Sequence, residues 1–415
     1  MTRANITGDA MHSDRQAQRA RWAVAGMFLA NGFTMGAWAP QIPLLMPRHQ
    51  VTESTLGLLI LVLGIGAVSA MLFAGRLISL YGGRKVLSVF SMALIPVLPM
   101  VVFSPNLWLL ALFMAAFGAM AGCMDVAMNA QAVEVEQRLD RAIMSSSHGF
   151  WSLGGFIGGV TGSYAIAAWG PEAQSLAAAA IVAAIVLVAM PFLLPSVPHP
   201  HIEAATPAPK TRLFPRDFHI WLLGFLTLAS MIPEGAVLDW AAIYLQKELG
   251  ASTVISGMGF AFFAGAMAIM RFAGDSLRNR FGAVRTLRVS GFLGAAGLMG
   301  GAIAPFDWVA IASFAVAGFG VANMVPVMFS AAGNHPRLPA ASAISIATMV
   351  GYCGILVAPS SIGFLAEHMG FRPTYAALSL LLVVVALLAG RAADADRVRK
   401  LPPVGVAARS PDPAI

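Results

Sequence analysis

Charge is scarce in this chain: Asp, Glu, Lys and Arg make up 11% of its 415 residues, against 58% hydrophobic residues. An ordinary globular surface needs about 25% charged residues, so a soluble globular protein is excluded. Cysteine is nearly missing as well. The two that occur, Cys123 and Cys353, both lie inside apolar runs, which excludes a disulfide framework. The alternation of apolar and polar residues that marks a transmembrane β-barrel is missing, because the apolar runs are continuous and far exceed a roughly ten-residue strand. No Ser/His/Asp set, no phosphate-binding glycine loop and no histidine at metal-ligand spacing stands out. The enzyme reading is therefore rejected, and no cofactor or metal is implied.

What the chain does have is twelve apolar runs, each near the roughly 20 residues that a helix needs to cross a bilayer, within a mean hydropathy of +0.77. They predict an all-α membrane protein of twelve transmembrane helices. Short breaks such as Ser104–Asn106 and Ala304–Asp307 are turn chemistry. One long break, 195–217, is rich in proline and polar residues and splits the chain near its middle. The expected organisation is a tail over 1–20, a six-helix bundle over 21–194, the linker over 195–217, a second six-helix bundle over 218–391 and a disordered tail over 392–415. Gly 41 and Met 23 suit helices that pack closely without a hydrophobic effect to drive them together.

The basic residues report orientation. If the N-terminus is cytoplasmic, alternate loops place 23 of the 26 Lys and Arg residues on that side, leaving Arg48, Lys247 and Arg372 on the other. This is the bias of the positive-inside rule. It predicts an inner-membrane, multi-pass chain with both termini cytoplasmic. The net charge of +7 is then a matter of topology, and no nucleic-acid partner is implied.

The two halves repeat each other at a spacing of about two hundred residues. Phe73–Leu87 aligns with Phe272–Leu287 when Gly82 is set on Gly282, and span four aligns with span ten so that Asp125 is set against Asn323. Trp38 and Trp240 are approximate mates. Parallel repeats of this kind mark transporters whose site lies between the halves. The loop carrying Gly75, Gly82, Arg84 and Lys85 resembles the signature loop of the major facilitator superfamily, and the resemblance runs along essentially the whole chain. It implies two pseudo-symmetric bundles and a gating role for that loop. The family's loop acid is replaced by Ser79 and Asn279, so the usual charge latch is not expected in its usual form.

Span four holds the sharpest feature, Gly122, Asp125 and Asn129 in an otherwise apolar run over 107–134. A carboxylate at mid-membrane costs about 2.5–3.5 kcal/mol on insertion scales, so its presence calls for a function. The spacing is similar to the fourth-helix motif of the fucose–proton symporter branch, where the acid takes part in proton coupling. Asp125, Glu234 and His148 are accordingly the candidates for proton coupling. Counting inward from the cytoplasmic side places Trp151 level with Asp125 and His148 level with Asn129. Asn129, Asn31, Trp38, Gln41, Trp151 and Asn323 are the candidates for solute binding, since amides beside aromatic platforms suit a sugar-like solute.

In span seven, Pro233 is expected to break the hydrogen-bond ladder and leave a kinked, polar spot beside Glu234, while Asp239 and Trp240 read as a solvated acid and an interfacial aromatic. Gly154, Gly155, Gly158 and Gly159 read as close packing. They also resemble a drug–proton antiporter motif, except that Gly155 stands where that motif has proline. The sequence therefore points to a monomeric, proton-coupled secondary transporter of a small polar solute. A drug–proton antiporter and a non-transporting sensor on the same scaffold are the alternatives.

Overall fold

The computed structural model describes residues 3–139, 143–195, 216–338 and 340–396, and every regular element among them is helical. We number the helices α1 (Arg3–Trp38, continued by Ala39–Gln41 and Ile42–His49), α2 (Glu53–Tyr81), α3 (Gly83–Leu94, continued by Val97–Val102) and α4 (Leu107–Leu139). Helices α5 and α6 are the two arms of Met144–Ala189, parted at Gly170, whose φ of 85° no helix tolerates. The second half has α7 (Phe218–Leu249), α8 (Thr253–Phe281), α9 (Ala283–Ala302), α10 (Asp307–Val321, continued by Met324–Gly333), α11 (Ala340–Met369) and α12 (Phe371–Leu387). By length and composition eight helices among the described residues can cross a membrane, or nine with the pair Phe371–Leu387 and Ala389–Asp396, bent by 51°. Large apolar side chains face outward, Trp108 at 87% and Leu72 at 77% exposure among them, as a lipid-embedded surface requires.

Missing side chains set the packing. A Cβ on Gly158 would lie 2.3 Å from the Phe33 carbonyl oxygen, and one on Gly154 would lie 2.3 Å from that of Leu29. Helices α1 and α5 thus touch backbone to backbone, which fits the packing role expected of those glycines. Gly118 does the same for α4 against α2, and Gly122 brings α4 onto Ala67. These contacts orient the polar face of α4 that follows Gly122.

We call the end of the bundle that carries the segments flanking residues 196–215 the linker end, and the opposite end the far end. At the linker end Gly82 and Gly282 take φ values of 83° and 79°, so both repeat turns need glycine. Most of the expected linker and the last part of the expected tail lie outside the described residues. Residues 392–396 do not follow the expectation of disorder. They belong to a 3₁₀ stretch, Ala389–Asp396, in which the Asp396 carboxylate accepts the Ala283 backbone N–H at 2.7 Å.

Candidate functional site

The site forms where α1, α4 and α5 of the first half face α7, α8 and α11 of the second. On the first-half side, Asn129 donates from its amide to the Asp125 carbonyl one turn back at 2.8 Å, and its side-chain oxygen meets His148 Nε2 at 3.1 Å. His148 is half-buried with the Phe28 ring edge-on at 5.0 Å. Trp151 donates its indole N–H to Asn31 at 2.8 Å, and the Asn31 amide donates to the Ala121 carbonyl at 3.3 Å. The carboxylate of Asp125 is half-buried and accepts no hydrogen bond from a described residue.

The second-half side is built on Arg271 of α8. Its guanidinium donates to Ser152 Oγ at 2.6 Å and lies 3.4 Å from Glu234 Oε1, with the Trp151 ring 5.9 Å away. The Arg271 side chain is only 14% exposed. Arg271 thereby links α5 of one half to α7 of the other. Tyr352 of α11 stands within electrostatic reach of both Asp125 and Glu234.

Reasoning from sequence passed over Arg271, Ser152 and Tyr352. The signal for Arg271 was present, because an ionisable residue within an apolar span calls for a function by default. In the structure α8 runs on to Phe281, and Arg271 lies more than two turns inside it.

The remaining candidates are placed elsewhere. Trp38 is fully buried against Phe117 at 5.8 Å, within the first half. Gln41 is buried and donates to Gln174 and to the Pro171 carbonyl, which ties α1 to the start of α6. Neither side chain joins the polar network. Asn323, in the break between the two parts of α10, donates to the Met270 carbonyl at 3.4 Å and so props the backbone beside Arg271.

Helix α7 continues through Pro233, which lies inside it. Asp239 is 8% exposed and Trp240 is fully buried, which corrects the expectation of a solvated acid and an interfacial aromatic. Glu136 accepts the backbone N–H groups of Ile143 and Met144 at 2.7 and 2.8 Å, capping α5.

In the loop between α2 and α3, Arg84 donates to the Pro191 carbonyl at 3.2 Å and Lys85 lies over the Tyr81 ring at 5.3 Å, both within the first half. A Cβ on Gly75 would meet open space. In the matching turn of the second half, Arg278 donates to Ser330 at 2.9 Å and to the Ala395 carbonyl at 2.6 Å, and lies 3.7 Å from Asp396. An acid is thus present at the second turn, brought there from beyond α12.

Between the halves, the far end is tied by charge. Lys247 of α7 pairs with Glu53 of α2, and Glu367 of α11 accepts the Ser54 backbone N–H at 2.9 Å. Gly57 admits the Pro359 carbonyl, and Gly363 admits Trp240 and the Glu53 carbonyl.

Comparison with known proteins agrees with this architecture. An uncharacterised MFS-type transporter of Yersinia pestis is 35% identical over 362 residues, covering 86% of this chain and 92% of its own length. An uncharacterised transporter of Sinorhizobium fredii is 32% identical over 88% of this chain and 96% of its own length. Among solved structures, a D-xylose–proton symporter superposes with a TM-score of 0.71 at 16% identity, covering 89% of this chain and 96% of that one. The nucleoside transporter NupG superposes with a TM-score of 0.66 at 15% identity, covering 90% and 98%. The Major Facilitator Superfamily model matches residues 24–341, and on this match, the relatives and the fold, the chain belongs to that superfamily of membrane transporters and is not an enzyme.

Proposed function

We propose that the protein is a secondary active transporter that carries a small polar solute across the inner membrane by alternating access, coupled to protons. The twelve helices α1–α12 all span the bilayer in this reading, with both termini and the linker end cytoplasmic. The far end, tied by Lys247 and Glu53, is then the outer gate, and the structure corresponds to the state closed on that side. Solute sits between Asn31, Asn129, His148 and Trp151 on one side and Arg271 with Glu234 on the other. The similarity of Gly122, Asp125 and Asn129 to the fucose–proton symporter motif supports a proton role for Asp125.

The observation that carries this reading is the Asp125 carboxylate. It lies half-buried between the halves and receives no hydrogen bond from a described residue. A charged carboxylate so placed is unfavourable unless a proton or another cation joins it. Access from alternate sides turns that demand into coupling. The gap that the antiporter motif leaves at Gly155 argues against drug efflux.

Asp125→Asn mimics the protonated acid. In proteoliposomes it should lose uphill uptake and the pH dependence of transport while keeping solute counterflow. Asn129→Ala should instead weaken solute binding, by about 1–3 kcal/mol for a buried hydrogen bond. If both variants merely express poorly, and the protein that survives keeps the wild-type pH profile, Asp125 is a packing residue and the proton reading falls.

A further inference from the structure

Arg271 has more donors than the described residues use. A guanidinium carries five N–H groups. The contacts among those residues engage one at Ser152 and one, at the long distance of 3.4 Å, at Glu234. That pair is single and long, whereas Arg and a carboxylate matched for stability adopt the two-pronged, parallel arrangement. Burying an arginine in a membrane interior is unfavourable even when it is paired, and a loose pair recovers little of that penalty. The pairing is thus poor as a structural bond and well suited to being exchanged.

We infer that the solute carries a carboxylate, which takes the place of Glu234 on Arg271 when it binds. This rests on the transporter reading above and names its solute class: a small hydroxylated monocarboxylic acid, such as a sugar acid. One guanidinium balances one charge, which favours a monocarboxylate over a phosphate dianion. The hydroxyl groups of such a solute suit the amides of Asn31 and Asn129, and its carbon face suits Trp151.

The charges around the site then set the coupling. Facing Arg271 are Glu234 on α7 and His148 and Trp151 on α5, while Tyr352 on α11 lies within electrostatic reach of both Glu234 and Asp125. With a solute anion on Arg271, the released Glu234 carboxylate adds a second negative charge to a site that already holds Asp125. One proton shared by that carboxylate pair offsets it, so solute anion and proton enter together. Acid should therefore tighten solute binding, and Glu234 is a competitor of the solute rather than a ligand to it.

The test titrates the purified full-length protein with gluconate, glucuronate and lactate, and with glucose and glycerol as uncharged counterparts, at pH 6 and pH 8. Wild type should bind an acid at least about tenfold tighter at the lower pH, with about a hundredfold as the limit set by full uptake of one proton over two pH units. Glu234→Gln should bind the acid at least about fivefold tighter than wild type at pH 8, with a flatter pH profile, because the competitor is gone. Arg271→Gln should lose the preference for acid over uncharged partner. Should that variant fail to fold, Glu234→Gln alone decides, because a merely structural Glu234 predicts weaker binding. The inference is overturned if glucose or glycerol binds wild type as well as the matching acid does, if Glu234→Gln weakens acid binding, or if no acid of the panel engages Glu234→Gln. Failure of the transporter reading would look different: the distance between the halves would stay fixed whatever solute or pH is applied.

Discussion

The two ends of the bundle are held by different chemistry. At the far end, charged groups cross from one half to the other, Lys247 to Glu53 and Glu367 to the start of α2, above glycines that let the backbones meet. At the linker end, the charged groups we observe turn inward on their own half: Arg84 holds the end of α6, and Arg278 and Asp396 join the turn before α9 to the stretch after α12. What crosses there is the α5–α8 seam, with Phe150 on Phe272 at 5.6 Å and the Ser145 hydroxyl on the Arg271 carbonyl at 2.8 Å. The difference teaches how the two ends divide the work of holding the fold. At the linker end charged groups staple each half internally, and at the far end they staple the halves to each other, which the proposed alternating access reads as the closed side.

The largest break in that contrast should come from Gly57→Leu. A Cβ alone would sit 2.9 Å from the Pro359 carbonyl oxygen, so a leucine cannot be seated while the far end is closed. Overpacking of this kind costs about 1–3 kcal/mol. Because the clash lies between the halves and not within one, folding should survive. Distances between spin labels on Val51 and Ala251 should lengthen, and transport should fall. An unchanged distance distribution would show that the far end is not the moving gate.

A smaller effect is expected from Lys247→Glu, which replaces attraction to Glu53 by repulsion. Lys247 is 47% exposed, so solvent screens the pair, and the loss should be about 0.5–1 kcal/mol. The same label pair should report a two- to fivefold shift in population, roughly, that 1 M salt largely erases. A matching charge swap, Lys247→Glu with Glu53→Lys, should restore the wild-type distribution.

The smallest effect lies at the linker end and depends on pH. His335, at the linker end, is 3% exposed and lies 3.6 Å from Asp217. Burial lowers its proton affinity, more than the neighbouring Asp217 raises it. Its contribution is present above the ordinary imidazole range and falls away as pH drops below it. Hydrogen exchange should therefore quicken around His335 and His219 in mild acid while the far end near Ser54 stays protected, and His335→Gln should remove that step. An exchange rate around His335 that does not change with pH would contradict the assignment.

Part of the site is legible in the sequence alone. Asp125 and Asn129 stand out because polar groups in an apolar helix are conspicuous, and the count from the helix ends places His148 beside Asn129, where the structure has it at 3.1 Å. Trp38 and Gln41 are equally suitable by residue type, yet their faces of α1 turn to Phe117 and Gln174. Residue type does not say which side of a helix faces the cavity. Asp239 misleads for a related reason: depth along a helix can be counted, but burial depends on what packs against it.

Composition and the length of the apolar runs determined by themselves that this chain is a helical membrane protein, because hydrocarbon offers the backbone no other partners than its own. The internal repeat points to two halves, between which the proposed site lies. Only the tertiary structure decided that Arg271 reaches Ser152 and Glu234, that an acid from beyond α12 serves the turn at Gly282, and that Lys247 and Glu53 tie the halves at the far end. Each of these joins residues on different helices, and such contacts follow from how helices rotate and cross against one another. That is set by the summed packing of glycines and side chains along whole helices, which no local stretch of sequence contains.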